Sequence, residues 1–197
     1  ALLYIEEINR IPEETLNLLI TVMSEAELHV PRLGRVQAHP GFRLVAAMNP
    51  FDSVGTARIA SAVYDRCCRL AMGYQDAADE EQIVRAAAPE ASDAIDPNTM
   101  QAAVAMVRDT RTHSEIRTGS SVRGAIDFVM VLRELAALRG TSTQDPSVSL
   151  DAALLALSGR IRINESGSRT AEELVTELWE RHFGPQATEP AATQKKA

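Results

Sequence analysis

Ala1-Leu2-Leu3-Tyr4-Ile5-Glu6-Glu7-Ile8-Asn9-Arg10 runs an apolar segment straight into two adjacent carboxylates, with a proline-led helix signal at Pro12 just behind. An apolar run without polar alternation predicts a strand buried on both faces, as in a parallel sheet covered by helices. In open α/β sheets, ligands bind beyond the carboxyl ends of such strands. Two acids at that edge suit a metal–phosphate site, where one holds Mg2+ through water and the other orients an attacking water. The same dipeptide also fits a strand that simply ends in solvated acids, so the pair decides nothing unaided.

Outward from that stretch, Pro12, Glu13 and Glu14 start a helix, because Pro suits a first helical position and acids favour the N-terminal dipole end. Leu16, Leu19, Ile20 and Met23 then recur on one helical face up to about Glu25. Glu27–Val30 and Arg35–Ala38 flank Pro31-Arg32-Leu33-Gly34, the pattern of a β-hairpin. Phe42–Met48 reads as a second buried strand, stopped by Pro50. A loop over 51–61, a short helix ending near Asp65 and a last core strand over Cys67–Met72 follow. Beyond Tyr74 the pattern is helical only. Asp79 with Gln82 predicts a capped start and Pro89 a close; Asp96-Pro97 opens a helix carrying Met100, Val104 and Val107. Ser120 or Ser121 predicts the cap of a long helix closed by Gly140, and Ser149–Ser158 a fourth helix. Thr170 and Glu173 form a capping box for a last helix. The expected organisation is a partial α/β core over 1–74, a helical domain over 75–165, a C-terminal helix over 166–183 and a disordered tail over 184–197.

Composition narrows the class. With 45% hydrophobic and 24% charged residues, the 197-residue chain is ordinary for a globular protein and long enough for a real core. A net charge of −7 argues against a general nucleic-acid or anionic-membrane binder. No apolar run in these residues reaches the length of a membrane span, and a protein without a secretory signal is the expectation. Cys67 and Cys68 are adjacent, which suits neither a disulfide framework nor a zinc site and fits a reducing cytoplasm. His29, His39, His113 and His182 lack metal-ligand spacing.

Three more segments stand in order behind the opening stretch. They are Gly41-Phe42-Arg43-Leu44-Val45-Ala46-Ala47-Met48-Asn49-Pro50, Ala62-Val63-Tyr64-Asp65-Arg66 and Gly119-Ser120-Ser121-Val122-Arg123. With the opening stretch, they resemble the Walker B, sensor 1, arginine-finger and sensor 2 motifs of AAA+ ATPases, over about residues 1–165. The wording Glu-Ile-Asn-Arg and Met-Asn-Pro is most similar to the MoxR branch, with midasin- and dynein-related ATPases as relatives. The fold this implies is α/β: the C-terminal half of a parallel-sheet nucleotide-binding core followed by an all-helical lid. The phosphate-binding sequence G-x-x-x-x-G-K-S/T does not occur, and the chain opens inside a strand. A chain truncated before Walker B, and inactive alone, is the expectation.

The resemblance assigns roles residue by residue. Glu7 takes the place of the acid that polarises the hydrolytic water. Glu6 stands where the family usually has Asp, the Mg2+-associated acid, and its extra methylene must shift the metal geometry. Asn49 matches sensor 1, which donates to the γ-phosphate of ATP; a turn-forming Asn before Pro is the plain alternative. Arg66 matches the finger supplied to a neighbouring subunit's site, with Arg58 and Arg69 as competitors and a surface pair with Asp65 as the alternative. Arg123 matches sensor 2, with Arg117 as the other register. Asn9 and Arg10 suit an intersubunit polar contact or a helix-entry cap, and the hairpin would face the centre of an oligomer or simply the surface.

The implied function is that of an ATP-binding, Mg2+-dependent, chaperone-like remodelling ATPase of the MoxR type. It would work as a cytoplasmic homo-oligomeric ring, a hexamer, with a partner carrying a von Willebrand factor A domain. A non-catalytic AAA+-like interaction module is the alternative that Glu6 and the missing phosphate loop favour. A DNA-linked AAA+ ATPase is a third reading, which the negative charge disfavours.

Overall fold

The computed structural model describes residues 1–49, 61–165 and 168–184. Contacts divide the chain into two compact units, Ala1–Met72 and Gly73–Ala197. The expected loop over 51–61, apart from Ser61, and finger candidate Arg58 lie outside the described residues, as does the tail from 185.

In the first unit, strand β1 (Leu2–Ile5) pairs in parallel with β4 (Arg43–Ala46), with Ile5 opposite Ala46. Between them run helix α1 (Glu13–Glu25) and an antiparallel hairpin of β2 (Glu27–Val30) and β3 (Gly34–Gln37). Parallel strands need such a crossover, because a tight turn cannot return the chain to the same end. Pro12 stands just before α1, whose first turn carries Glu13 and Glu14. Gly34, at φ 84°, pairs with Val30 at the hairpin's end, a conformation glycine adopts without a Cβ penalty. Leu16 and Ile8 are buried with Val63 of the short helix α2 (Ser61–Tyr64); Ile5, Leu19, Ile20, Met23 and Met48 pack around them.

Two expectations fail here. Leu2, Leu3 and Tyr4 are exposed, and β4 is largely exposed too, so neither strand is buried on both faces. A strand of a two-stranded ladder has one paired edge and little to cover its faces. Cys67–Met72 forms no strand: both cysteines, Leu70 and Met72 are exposed. An apolar run becomes a strand only against a ladder, and among the described residues this one has none.

The second unit is a helical bundle of α3 (Ala77–Ala87), α4 (Pro89–Asp93), α5 (Pro97–Asp109), α6 (Val122–Arg139), α7 (Pro146–Leu157) and α8 (Ala171–Phe183). Met100, Val104, Val107, Phe128, Leu132 and Leu157 are fully buried in one core, joined by Leu174 and Leu178 of α8. Burying a side chain of this size contributes roughly 1.5–3 kcal/mol. Phe128 and Phe183 meet with ring centroids 5.4 Å apart, and the Trp179 indole N–H donates to Ser149 Oγ at 3.0 Å. Among the described residues no helix is long and apolar enough to cross a membrane.

Caps set the helix starts. Asp96 accepts from the Asn98 and Thr99 amides and the Thr99 hydroxyl, and that hydroxyl foremost holds its carboxyl below the usual carboxylate range. Thr170 and Glu173 exchange both bonds of a capping box. Elsewhere the start signals mislead. The cap of α3 is Asp76, not Asp79, and Pro89 opens α4 instead of only closing α3. Asp145-Pro146 starts α7 three residues before Ser149, again because Pro fits a first turn. Ser121 precedes α6 without a side-chain cap bond, and the Ser120 hydroxyl donates to the Ser121 carbonyl. Strand β5 (Ile116–Thr118) also pairs antiparallel with β6 (Arg162–Ile163), so the unit is not made of helices alone.

The turn before α6 is packed without slack. A Cβ at Gly119 would stand 2.6 Å from the backbone of Thr110 and Arg111. Gly119→Ala is expected to cost about 1–3 kcal/mol by overpacking against backbone that cannot rotate away. A denaturant titration checks this as a lower midpoint at unchanged slope; an unshifted midpoint would show that the turn relaxes freely.

Candidate functional site

The β1/β4 register decides which residues stand at the carboxyl edge of the parallel pair. With Ile5 opposite Ala46, the chain leaves β1 through Glu6 and Glu7 and leaves β4 towards Asn49. The pairing continues past the strands: Ala47 N–H donates to the Ile5 carbonyl at 2.8 Å, and Ile8 N–H to the Ala47 carbonyl at 3.1 Å. Glu7 turns the backbone sharply, with φ 51° and ψ 49°, into a 3-10 turn over Ile8–Arg10. Both acids are exposed, and Glu7 Oε2 lies 2.9 Å from Arg10 Nε.

Beneath them Asn9 is buried. Its Nδ2 donates to the Asn49 carbonyl at 3.5 Å, and its Oδ1 is buried without a hydrogen-bond partner. This is an intrachain tie between the two strand ends, not the helix-entry cap the sequence offered. The spacing of Asn9 and Asn49 in the chain gave no sign of it. Among the described residues no group of three or more His, Cys, Asp or Glu could hold a metal by itself. Two carboxylates at a strand end instead suit Mg2+ that arrives with phosphates, since that ion keeps waters and takes only one or two protein carboxylates.

The candidate arginines differ in surroundings. Arg66 is exposed; its Nε donates to Ser24 Oγ at 2.5 Å and its Nη1 to the Ala62 carbonyl at 2.8 Å, so no pair with Asp65 forms among the described residues. Arg69 is exposed on the segment that follows. In the helical unit, Arg123 is the exposed second residue of α6, whereas Arg117 pairs with Glu165 at 3.2 Å. His113 and His182 face carboxylates, Glu177 at 3.4 Å and Asp109 at 2.9 Å.

A parallel pair whose carboxyl edge carries acids and an amide, followed by a helical bundle, is an arrangement similar to that of AAA+ ATPases. More particularly, residues 1–67 match the family described as AAA domain (dynein-related subfamily). The gas vesicle ATPase GvpN2 of Halobacterium salinarum is 33% identical over 124 residues, 61% of this chain. The chain spans 35% of that relative's length. A RuvB mutant from Thermotoga maritima shares the fold at a TM-score of 0.50 and 17% identity, over 93% of this chain and 47% of the other.

Proposed function

We propose that the protein binds and hydrolyses ATP as a ring-forming AAA+ ATPase of the MoxR type. The observation that carries this reading is the shared strand edge: Glu6, Glu7 and Asn49 leave neighbouring parallel strands, and Asn9 bonds one strand end to the other. Glu7 takes the proton of, or orients, the attacking water. Glu6 would hold the Mg2+ that comes with the nucleotide, and that ion would neutralise charge on the phosphates. Asn49 donates to the γ-phosphate. Arg66 completes a neighbouring subunit's site, and Arg123 contributes from the helical unit as sensor 2. The ring, its hexameric count, the cytoplasmic setting and a von Willebrand factor A domain partner rest on the family resemblance.

The relative named a gas vesicle ATPase favours a second, compatible reading of the work done: ATP-driven work on gas vesicles rather than general remodelling. Deleting the gene in a host that makes such vesicles, and scoring flotation, separates the two.

Hydrolysis itself is tested by Asn49→Ala in the full-length protein. Removing one donor aimed at developing charge is expected to lower kcat about 10²-fold or more. Nucleotide binding, followed by equilibrium titration, should change little. Wild-type phosphate release in this variant would take Asn49 out of the site.

A further inference from the structure

Arg111 lies just past α5 and turns inward, where its guanidinium serves three separate segments. Its Nη1 donates to Glu80 Oε1, in the first turn of α3, at 2.7 Å. Its Nε donates to the Ser120 carbonyl at 2.8 Å, and its Cζ lies 3.9 Å from the centroid of the Tyr74 ring. The Glu80 side chain is 1% exposed and that of Arg111 9%. Removing two charges from water offsets most of what their attraction returns, so a buried ion pair is a weak source of stability. Its geometry points to placement.

What it places can be followed bond by bond. The Ser120 N–H donates to Thr110 Oγ1 at 2.9 Å, and the Thr110 hydroxyl donates to the Val107 carbonyl at 2.6 Å. Gly119 leaves no room for a Cβ against the same Thr110–Arg111 backbone. The turn is therefore fixed to the end of α5 by Thr110 and Arg111 together. Arg123 follows as the second residue of α6. At the other end of the network, Tyr74 and Gln75 are where the chain enters the helical unit, and Arg108 Nη1 donates to the Gln75 carbonyl at 2.8 Å.

We infer that Arg111 is a positioning residue, whose guanidinium ties the turn that launches Arg123 to the segment by which the chain enters the helical unit. The inference rests on the nucleotide role proposed for Arg123. A planar guanidinium can donate from well-separated nitrogens while its flat face stacks on a ring, whereas a lysine ammonium is a compact point charge with no face to stack. A displacement of the Tyr74 segment reaches Ser120 most directly through this side chain, which touches both.

The test uses the full-length protein with Arg111→Lys, which keeps a charge for Glu80 but loses the rigid fork that spans Glu80 and Ser120, and the flat face. Tyr74→Leu removes the stack alone. Amide hydrogen exchange over 119–123 is expected to quicken roughly tenfold in Arg111→Lys and less in Tyr74→Leu, with α7 still protected. The kcat of Arg111→Lys should fall about tenfold with KM for ATP nearly constant, since a small misplacement of a charged group costs rate. That loss should vanish when Arg123 is already Ala, because both changes then remove one interaction. Unchanged exchange in both variants, or losses that multiply independently, would overturn the inference. Arg123→Ala turning over at the full rate would instead strike the nucleotide role itself, and the catalytic part of Arg111 with it.

Discussion

Glu7→Gln in the full-length protein is expected to abolish ATP turnover while nucleotide remains bound. The amide keeps the size and the hydrogen-bonding reach of the carboxylate but cannot accept the proton of an attacking water. General bases contribute typically 10²–10⁴-fold, and a loss of that order is the expected reading from steady-state phosphate release. Folding should hardly notice. Glu7 is exposed and its contact with Arg10 is a surface pair, a class worth about 0–1 kcal/mol at most. Turnover at the parental rate, with the variant folded, would remove Glu7 from the proposed reaction.

Arg66→Ala separates a ring ATPase from any reading in which one chain suffices. A finger supplied in trans should leave ATP affinity nearly intact while lowering turnover by about 10³-fold or more. In this structure Arg66 is held by Ser24 and the Ala62 carbonyl of its own chain. Both bonds are at the surface, so little opposes their exchange for a phosphate across an interface. Mixing Arg66→Ala with Glu7→Gln protein should restore part of the activity, because some interfaces then pair an intact acid site with an intact neighbouring finger. Were both residues to serve one chain's own site, no mixture of two dead variants could recover. An inactive mixture, with subunit exchange shown by a label, would rule out the trans assignment.

Local patterns carried much of this fold. The apolar face of α1, the Asp96-Pro97 start of α5 and the capping box of α8 are short-range devices, and each appears where its residues predict it. What escaped depends on distant partners. The β5/β6 ladder joins Ile116 to Ile163, two short strands too brief to show a period of two. Cys67–Met72 has the composition of a strand but no ladder to join among the described residues. The site shows the same division. Acids and amide at two strand ends were legible as motifs, whereas the Asn9–Asn49 bond and the buried Glu80–Arg111 pair were not. A glutamate in a helix's first turn reads as solvated, and nothing near Glu80 in the chain announces the arginine that buries it.

The left-handed backbone at Glu7 bears on how this segment can be engineered. A residue with a Cβ held there costs on the order of 1–2 kcal/mol, a charge that Gly escapes and Asn reduces. Directed evolution towards heat tolerance would therefore drift to Gly or Asn at position 7, and each gain in melting temperature would delete the carboxylate on which the proposed reaction depends. A library built on this protein keeps its chemistry only if that codon is held fixed.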